Sequence, residues 1–524
     1  MRRSIILFLL LSCLAFATVR YHFKSSQLII TGLESYDEVE LEIEKNKITL
    51  PSSKLVVPWR KNYNTTLILT PIKAGVKGSR IILRIDANKD NPPQMKLKVP
   101  SYVSLGKLVM DVSVEDDWDD PRTLKYTVYV DGNKIDPPKY GKLEIDTFFL
   151  NSGERRLRII CKDSNGNTVD QTYKFIVVST LPSSPQVNQG KIISNRVHRV
   201  YTVRDGAIEA FETRASELSD QFVFVCDLDS ANNESFPALY YKDGKLVQYQ
   251  NPIIMSLADS CSLQSEHAVF GKIVIPAGQM VVLRPGATLK INSNCELIVR
   301  GTLVLQQNSK VTGPGNLVVV ESGKLIVNGA KIESNVFVDG ATSVWLSNVN
   351  LSTANIRLTR SSLLTLKNVK AERLILENVR KLWIDSCEFE NLEILNCGDA
   401  TMLNSKMSQL KLSQSSKMRA YSCTFYSSNA AVSISDLSNL ELVDSWVSGK
   451  VGIDVQNFSV LRVRSTQING DLAVSANGYS VIETFASVLT GSKALQLRDS
   501  RWKLSKTQTM GEIVKFGFVE IVQR

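Results

Sequence analysis

LSNVNL (346–351), LKNVKA (366–371), IDSCEF (384–389), LNSKMS (403–408), AYSCTF (420–425), VDSWVS (443–448), VRSTQI (463–468) and, more loosely, TFASVL (484–489) are copies of one unit, apolar–any–Asn/Ser–apolar–any–apolar. Their anchors are Asn348, Asn368, Ser386, Ser405, Ser422, Ser445, Ser465 and Ala486, and the successive gaps are 20, 18, 19, 17, 23, 20 and 21 residues. A second short strand lies between anchors, as in IRL (356–358), LIL (374–376) and LKL (410–412). A repeat of this length, built of short strands with no helical period, is one coil of a parallel β-solenoid. Each coil stacks about 4.8 Å above the last and pairs its backbone with both neighbours. Its apolar side chains line a shared interior. A coil that buries some four such side chains, at about 1.5–3 kcal/mol each, cannot offset its own chain entropy, whereas a stack of coils can.

Two rival repeats fail on the same residues. Leucine-rich repeats share the period, and LTLKNVKA (364–371) matches their core locally, but the other leucines and the helix are missing. A left-handed β-helix keeps a strict hexapeptide register, which gaps of 17 to 23 violate. Towards the N-terminus the repeat opens with IVIPAG (273–278), VVLRPGATLKI (281–291), CELIVRGTLVL (295–305) and NLVVVESGKLIVNGAKI (316–332). From Lys272 to Gln508 the chain resembles secreted bacterial right-handed parallel β-helix proteins. The solenoid is therefore expected over 271–508, with a C-terminal strand or cap over 509–524.

Upstream, the alternation has period two. VELEI (39–43) and IILRI (81–85) mark a small β-sandwich over 24–90, and Asn91-Pro92-Pro93 breaks it. A second set of strands fills 91–178, with Asp131-Gly132 and Asn165-Gly166 where tight turns are needed. YTVYVDGNKI (126–135), LEIDTFFLNSGERRLRI (143–159) and KDSNGNTVDQTYKFIV (162–177) resemble bacterial immunoglobulin-like domains. That resemblance implies a spacer or adhesive module. STLPSSPQVNQ (179–189) reads as a linker. The region 190–270 is expected to cap the solenoid, with a short helix near Ala210–Leu218. The fold class is all-β: two immunoglobulin-like β-sandwiches followed by a right-handed parallel β-helix.

Arg2-Arg3, an apolar run from Ile5 to Phe16 and Ala15-Phe16-Ala17 read as a signal peptide cleaved after residue 17. Lipidation at Cys13 is the minority reading. No other segment suits a transmembrane helix. Lysine and arginine number 62 against 52 acidic residues, for a net +10 spread along the chain. No basic block suggests nucleic acid. Polysaccharide or other envelope components are the expected partners. Beyond Cys13, seven cysteines are thinly spread, so this is no disulfide scaffold. Cys226 and Cys261 form the candidate pair, while Cys387 and Cys423 fall at one repeat position two coils apart.

Three sets of residues are candidates for chemistry. Glu115-Asp116-Asp117-Trp118-Asp119-Asp120 holds Asp116, Asp117, Asp119 and Asp120, a weak structural-calcium set without the spacing of any calcium loop. No other cofactor is expected. Arg357, Arg360, Lys367, Lys370, Arg373, Arg380 and Lys381 fall within two coils and would form a cationic ladder for an anionic glycan. Trp345 and Trp383 either stack on sugars or pack. The β-helix resemblance also implies a test for pectate lyase or polygalacturonase residues. Leu382-Trp-Ile-Asp385 is similar to a lyase strand motif, but Ser386 stands where histidine belongs. Arg501-Trp502-Lys503 matches an Arg-x-Lys triplet, but Asp385, Asp399, Asp444 and Asp454 are scattered. The reading is a non-catalytic exported binding or structural protein. A carbohydrate-active lyase or hydrolase and an adhesin are the alternatives.

Overall fold

The computed structural model of the chain describes residues 19–188, 190–220, 222–242, 246–351 and 356–523. The expected signal segment, Cys13 included, lies outside them. The chain is all-β, 63% strand, and divides into two compact units, up to Ser179 and from Thr180 onward.

The first unit holds two β-sandwiches. One opens with Arg20–Lys24, four residues before the expected boundary, paired with Gln27–Thr31 and Val56–Pro58. Its second sheet is built around Glu38–Ile43 and Thr65–Lys73, and Leu28, Val39, Leu41, Leu67 and Leu69 fill the space between. The other sandwich sets a five-stranded sheet against Lys142–Asp146, Lys107–Glu115 and Gln94–Leu97. In Lys107–Glu115 buried and exposed residues alternate, as period-two patterning demands. The hairpin from Lys125–Val130 to Asn133–Ile135 turns on Asp131 (φ 50°) and Gly132 (φ 83°), the left-handed pair that a two-residue hairpin loop needs.

The second unit is a parallel β-solenoid of about 13 turns. In one inward column Leu346 lies over Leu366, then Ile384, Met402, Ala420 and Leu442. A single hydrophobic interior runs from Ile254 to Trp502. The solenoid starts earlier than expected: Val247–Gln248 and Cys261–Leu263 already join its ladder. His267 is buried in a solenoid strand, its Nδ1 2.9 Å from the Asn251 carbonyl oxygen. At the other end Gln508–Gln523 pairs in parallel with Val488–Ser505, so the stacking continues through the expected cap.

The corners explain the repeat. Asn348, Asn368, Ser386, Ser422, Ser465 and Ala486 all have φ between 47° and 54°. In two coils the left-handed residue precedes the expected anchor: Asn404 (φ 46°) and Asp444 (φ 50°), not Ser405 and Ser445. The corner-to-corner gaps then become 20, 18, 18, 18, 22, 21 and 21, more regular than the sequence pattern. The residue after each corner turns inward. There the Cys387 N–H donates to Ser405 Oγ (3.1 Å), that of Cys423 to Ser445 Oγ (3.1 Å) and that of Ser445 to Thr466 Oγ1 (3.2 Å). Small polar side chains thus stitch coil to coil where the αL bend interrupts the ladder.

Four expectations for the middle of the chain are corrected. Ala210–Leu218 is not helical. Ala207–Thr213 pairs with Val197–Arg204 across a turn at Asp205 (φ 48°) and Gly206 (φ 74°). Nor is this region confined to the end of the solenoid. With Phe222–Leu228 and Ala238–Tyr241 it forms a four-stranded antiparallel sheet laid along the outer flank, where Tyr201, Phe222 and Phe224 pack on Val282, Val304, Ile326, Trp345 and Trp383. Part of the expected linker is strand, since Gln186–Asn188 pairs with Lys191–Ile193. Finally, Cys226 and Cys261 are both free thiols. They sit in separate cores, Cys226 in the flank sheet and Cys261 inside the solenoid.

Candidate binding surface

One outward column of the solenoid changes character along its length. Val304, Ile326 and Trp345 stack in register, and Trp383 follows beyond Thr365. This apolar stretch lies beneath the flank sheet. Trp345 and Trp383 are therefore packing residues, with Phe224 5.5 Å from Trp345 and Tyr201 5.4 Å from Trp383 between ring centroids. Past the sheet the same column reads Thr401, Arg419, Glu441, Arg462, Glu483, Lys503, alternating in sign from Arg419 onward. Arg462 Nε lies 2.8 Å and Lys503 Nζ 2.5 Å from Glu483. Arg419 and Arg462 approach Glu441 at 3.9 and 4.0 Å.

Glu441 and Glu483 are each 8% exposed and two coils apart, about 10 Å from the strand spacing. That separation is close to the spacing of an inverting glycosidase pair. The electrostatics point the other way. Burial pushes the Glu483 carboxyl up, but the Lys503 hydrogen bond and the Arg462 charge overcome it and hold it below the usual range. A general acid needs the opposite shift. The Arg-x-Lys triplet dissolves likewise: Arg501 pairs with Glu520 at 3.0 Å, Trp502 is a core residue, and Lys503 belongs to the ladder.

Five of the seven residues of the expected cationic ladder are charge-paired. Arg360 binds Asp339, Lys370 lies 2.6 Å from Glu388, Arg357 3.4 Å from Glu377 and Arg373 4.0 Å from Glu393. The remaining three hold the flank sheet. Arg380 donates to the Gly206 carbonyl (2.5 Å), and Lys367 lies over the Phe236 ring. Lys381 sits over Tyr201 and Trp383 between Asp399 (2.9 Å) and Glu234 (3.3 Å). Burial works against the Lys381 charge, but Asp399 and Glu234 outweigh it and raise its pKa. Glu234 also accepts hydrogen bonds from Tyr201 and Arg199.

The acidic loop is likewise occupied with its own backbone. Asp116 Oδ1 accepts from the N–H groups of Trp118 (2.9 Å) and Asp119 (2.7 Å), and burial raises its carboxyl despite them. Asp117 holds Asn91 through N–H and Nδ2, both at 3.0 Å, and Asp119 accepts from Ser164. Asp120 forks onto Arg122, whose side chain and N–H hold it at about 2. Among the described residues no three acidic, thiol or imidazole groups form a metal-ligand set.

A surface that sequence reasoning missed lies at a second column of corners. Asp436-Leu437, Asn457-Phe458 and Gly478-Tyr479 are pairs of successive left-handed residues, with φ between 52° and 63°. The second residue of each pair projects outward, leaving Leu437 65%, Phe458 60% and Tyr479 64% exposed. The coils are in register here, for the Leu437 N–H donates to the Asn457 carbonyl and the Phe458 N–H to that of Gly478. Phe458 and Tyr479 stack at 5.6 Å between centroids, 17° from parallel. Behind the ridge Ser438, Ser459 and Ser480 turn inward. The signal was present as Asp-Leu-Ser, Asn-Phe-Ser and Gly-Tyr-Ser at a spacing of 21 residues. In the coil before, Gln414-Ser415 makes the same turn with a short side chain.

No family model matches the chain, and no curated protein matches it. Among solved structures it is similar to the chicken CNTN1 FN1–FN3 domains, with TM-score 0.21, 10% identity, and 43% of this chain and 98% of that one covered. It is similar to the SGBP-B protein of a Bacteroides ovatus mixed-linkage glucan utilization locus, with TM-score 0.14, 12% identity, and 33% and 51% covered. It is also similar to a family 28 exopolygalacturonase of Yersinia enterocolitica, with TM-score 0.15, 11% identity, and 83% and 99% covered.

Proposed function

We propose that the chain is an exported, non-catalytic protein of the cell envelope or extracellular space, whose solenoid is a rigid scaffold for an outward binding ridge. The observation that carries this reading is the Leu437–Phe458–Tyr479 column. A bulky side chain at positive φ costs about 1–2 kcal/mol, and such strain persists only where the surrounding structure over-determines it, often at functional sites. Three coils in succession bear that cost and hold an apolar side chain in water. The Arg2-Arg3 leader and Ala15-Phe16-Ala17 support export. The carboxylate ladder favours scaffold over enzyme, because its best-placed acid is held ionised. Pairing of the basic strip with acids removes the main support for an anionic partner.

The test is retention of the mature chain on insoluble envelope polysaccharide, with soluble products followed in parallel. Retention without product release, reduced when Phe458 and Tyr479 are both replaced by Asn, is the expected outcome. Steady release of unsaturated or reducing ends would overturn it in favour of the enzyme.

A further inference from the structure

Resting on that reading, we infer that the ridge takes a neutral glycan chain running along the solenoid axis, one sugar to a coil. Three observations set the chemistry. The ridge is one side chain wide and advances one position per coil, about 4.8 Å, so it fits a linear polymer better than a broad protein face. It is flanked by hydroxyl and amide groups on the same coils: Ser435, Gln456 and Asn477 in one row, Asn457 beside Phe458. Asn457 Nδ2 donates across to Asp436 Oδ1 of the coil before (3.0 Å), and within that coil Ser435 Oγ donates to Asp436 Oδ2 (2.9 Å). Apolar rings beside amides and a carboxylate match the C–H faces and hydroxyls of a sugar. Charge then separates neutral from anionic glycans. Asp436 lies within the ridge turn, and Asp499 takes the corner after Tyr479, where the Tyr479 N–H donates to its carbonyl. Both would repel a polyanion.

The test uses the full mature chain and titration calorimetry against linear neutral gluco- and manno-oligosaccharides and against oligogalacturonate. Binding of a neutral oligosaccharide is expected, weakened at least tenfold in Phe458→Asn/Tyr479→Asn. Asn is at ease in the left-handed region, so the variant keeps its fold, and an unchanged melting temperature checks this. Arg357→Gln/Arg373→Gln, on the basic strip, should leave affinity unchanged. Preference for oligogalacturonate, lost in the arginine variant, would overturn the inference and leave the scaffold reading standing. A ridge variant that binds sugars normally but changes from dimer to monomer in sedimentation would also overturn it, assigning the ridge to a second copy. If the ridge variant changes neither sugar binding nor envelope retention, both readings fall together.

Discussion

Gly449, Gly470, Gly491 and Gly511 follow one another up a single corner of the solenoid, and no side chain fits there. A Cβ on Gly470 would lie 2.5 Å from the Gly449 carbonyl oxygen and 2.9 Å from that of Leu472. Both obstacles are backbone, so neither can step aside. Gly470→Ala is expected to cost about 1–3 kcal/mol, read as a lower urea midpoint. This column was hard to see in sequence because glycine marks most turns. The errors at Ser405 and Ser445 have a related cause. A serine that stitches coils from inside and an asparagine or aspartate that makes the bend are neighbours of similar chemistry, and only φ separates them. Leu437, Phe458 and Tyr479 escaped notice for the opposite reason: bulky residues contradict the turn chemistry by which corners are recognised.

At the scale of the element, the flank sheet was the least legible part. Its apolar face meets outward positions of the coils, which the inward repeat leaves unconstrained, so Trp345 and Trp383 carried no sign of a partner. Glu234 holds this sheet in place through Lys381, Arg199 and Tyr201. Burial raises its carboxyl, but Lys381, Tyr201 and Arg199 together lower it below the usual value. Its contribution is therefore present above the unfolded pKa of about 4.3 and lost as pH falls through the lower folded value. Glu234→Gln should cost about 1.5–3 kcal/mol at neutral pH. Acidification should speed hydrogen exchange across 197–241 in the wild type, and the variant should show a flatter pH dependence.

Over the whole molecule, the division into sandwiches and solenoid was readable because each obeys one period, two residues in the first half and about twenty in the second. Thiol chemistry follows from that architecture. All seven cysteines among the described residues are free and buried, and burial pushes Cys387, Cys397 and Cys423 up to about 12. A reductant is expected to leave the melting temperature unchanged. Iodoacetamide should label none of the seven until denaturant is added; a midpoint that falls with reductant would expose a bridge. The alternating column from Arg419 to Lys503 has a consequence for how the solenoid winds. A chain that skipped one turn would set Arg419 over Arg462, or Glu441 over Glu483, like charge on like, while its oily interior would accept the error with little complaint. The ladder thus works as a parity check, rejecting the single miscount that hydrophobic packing alone would let pass.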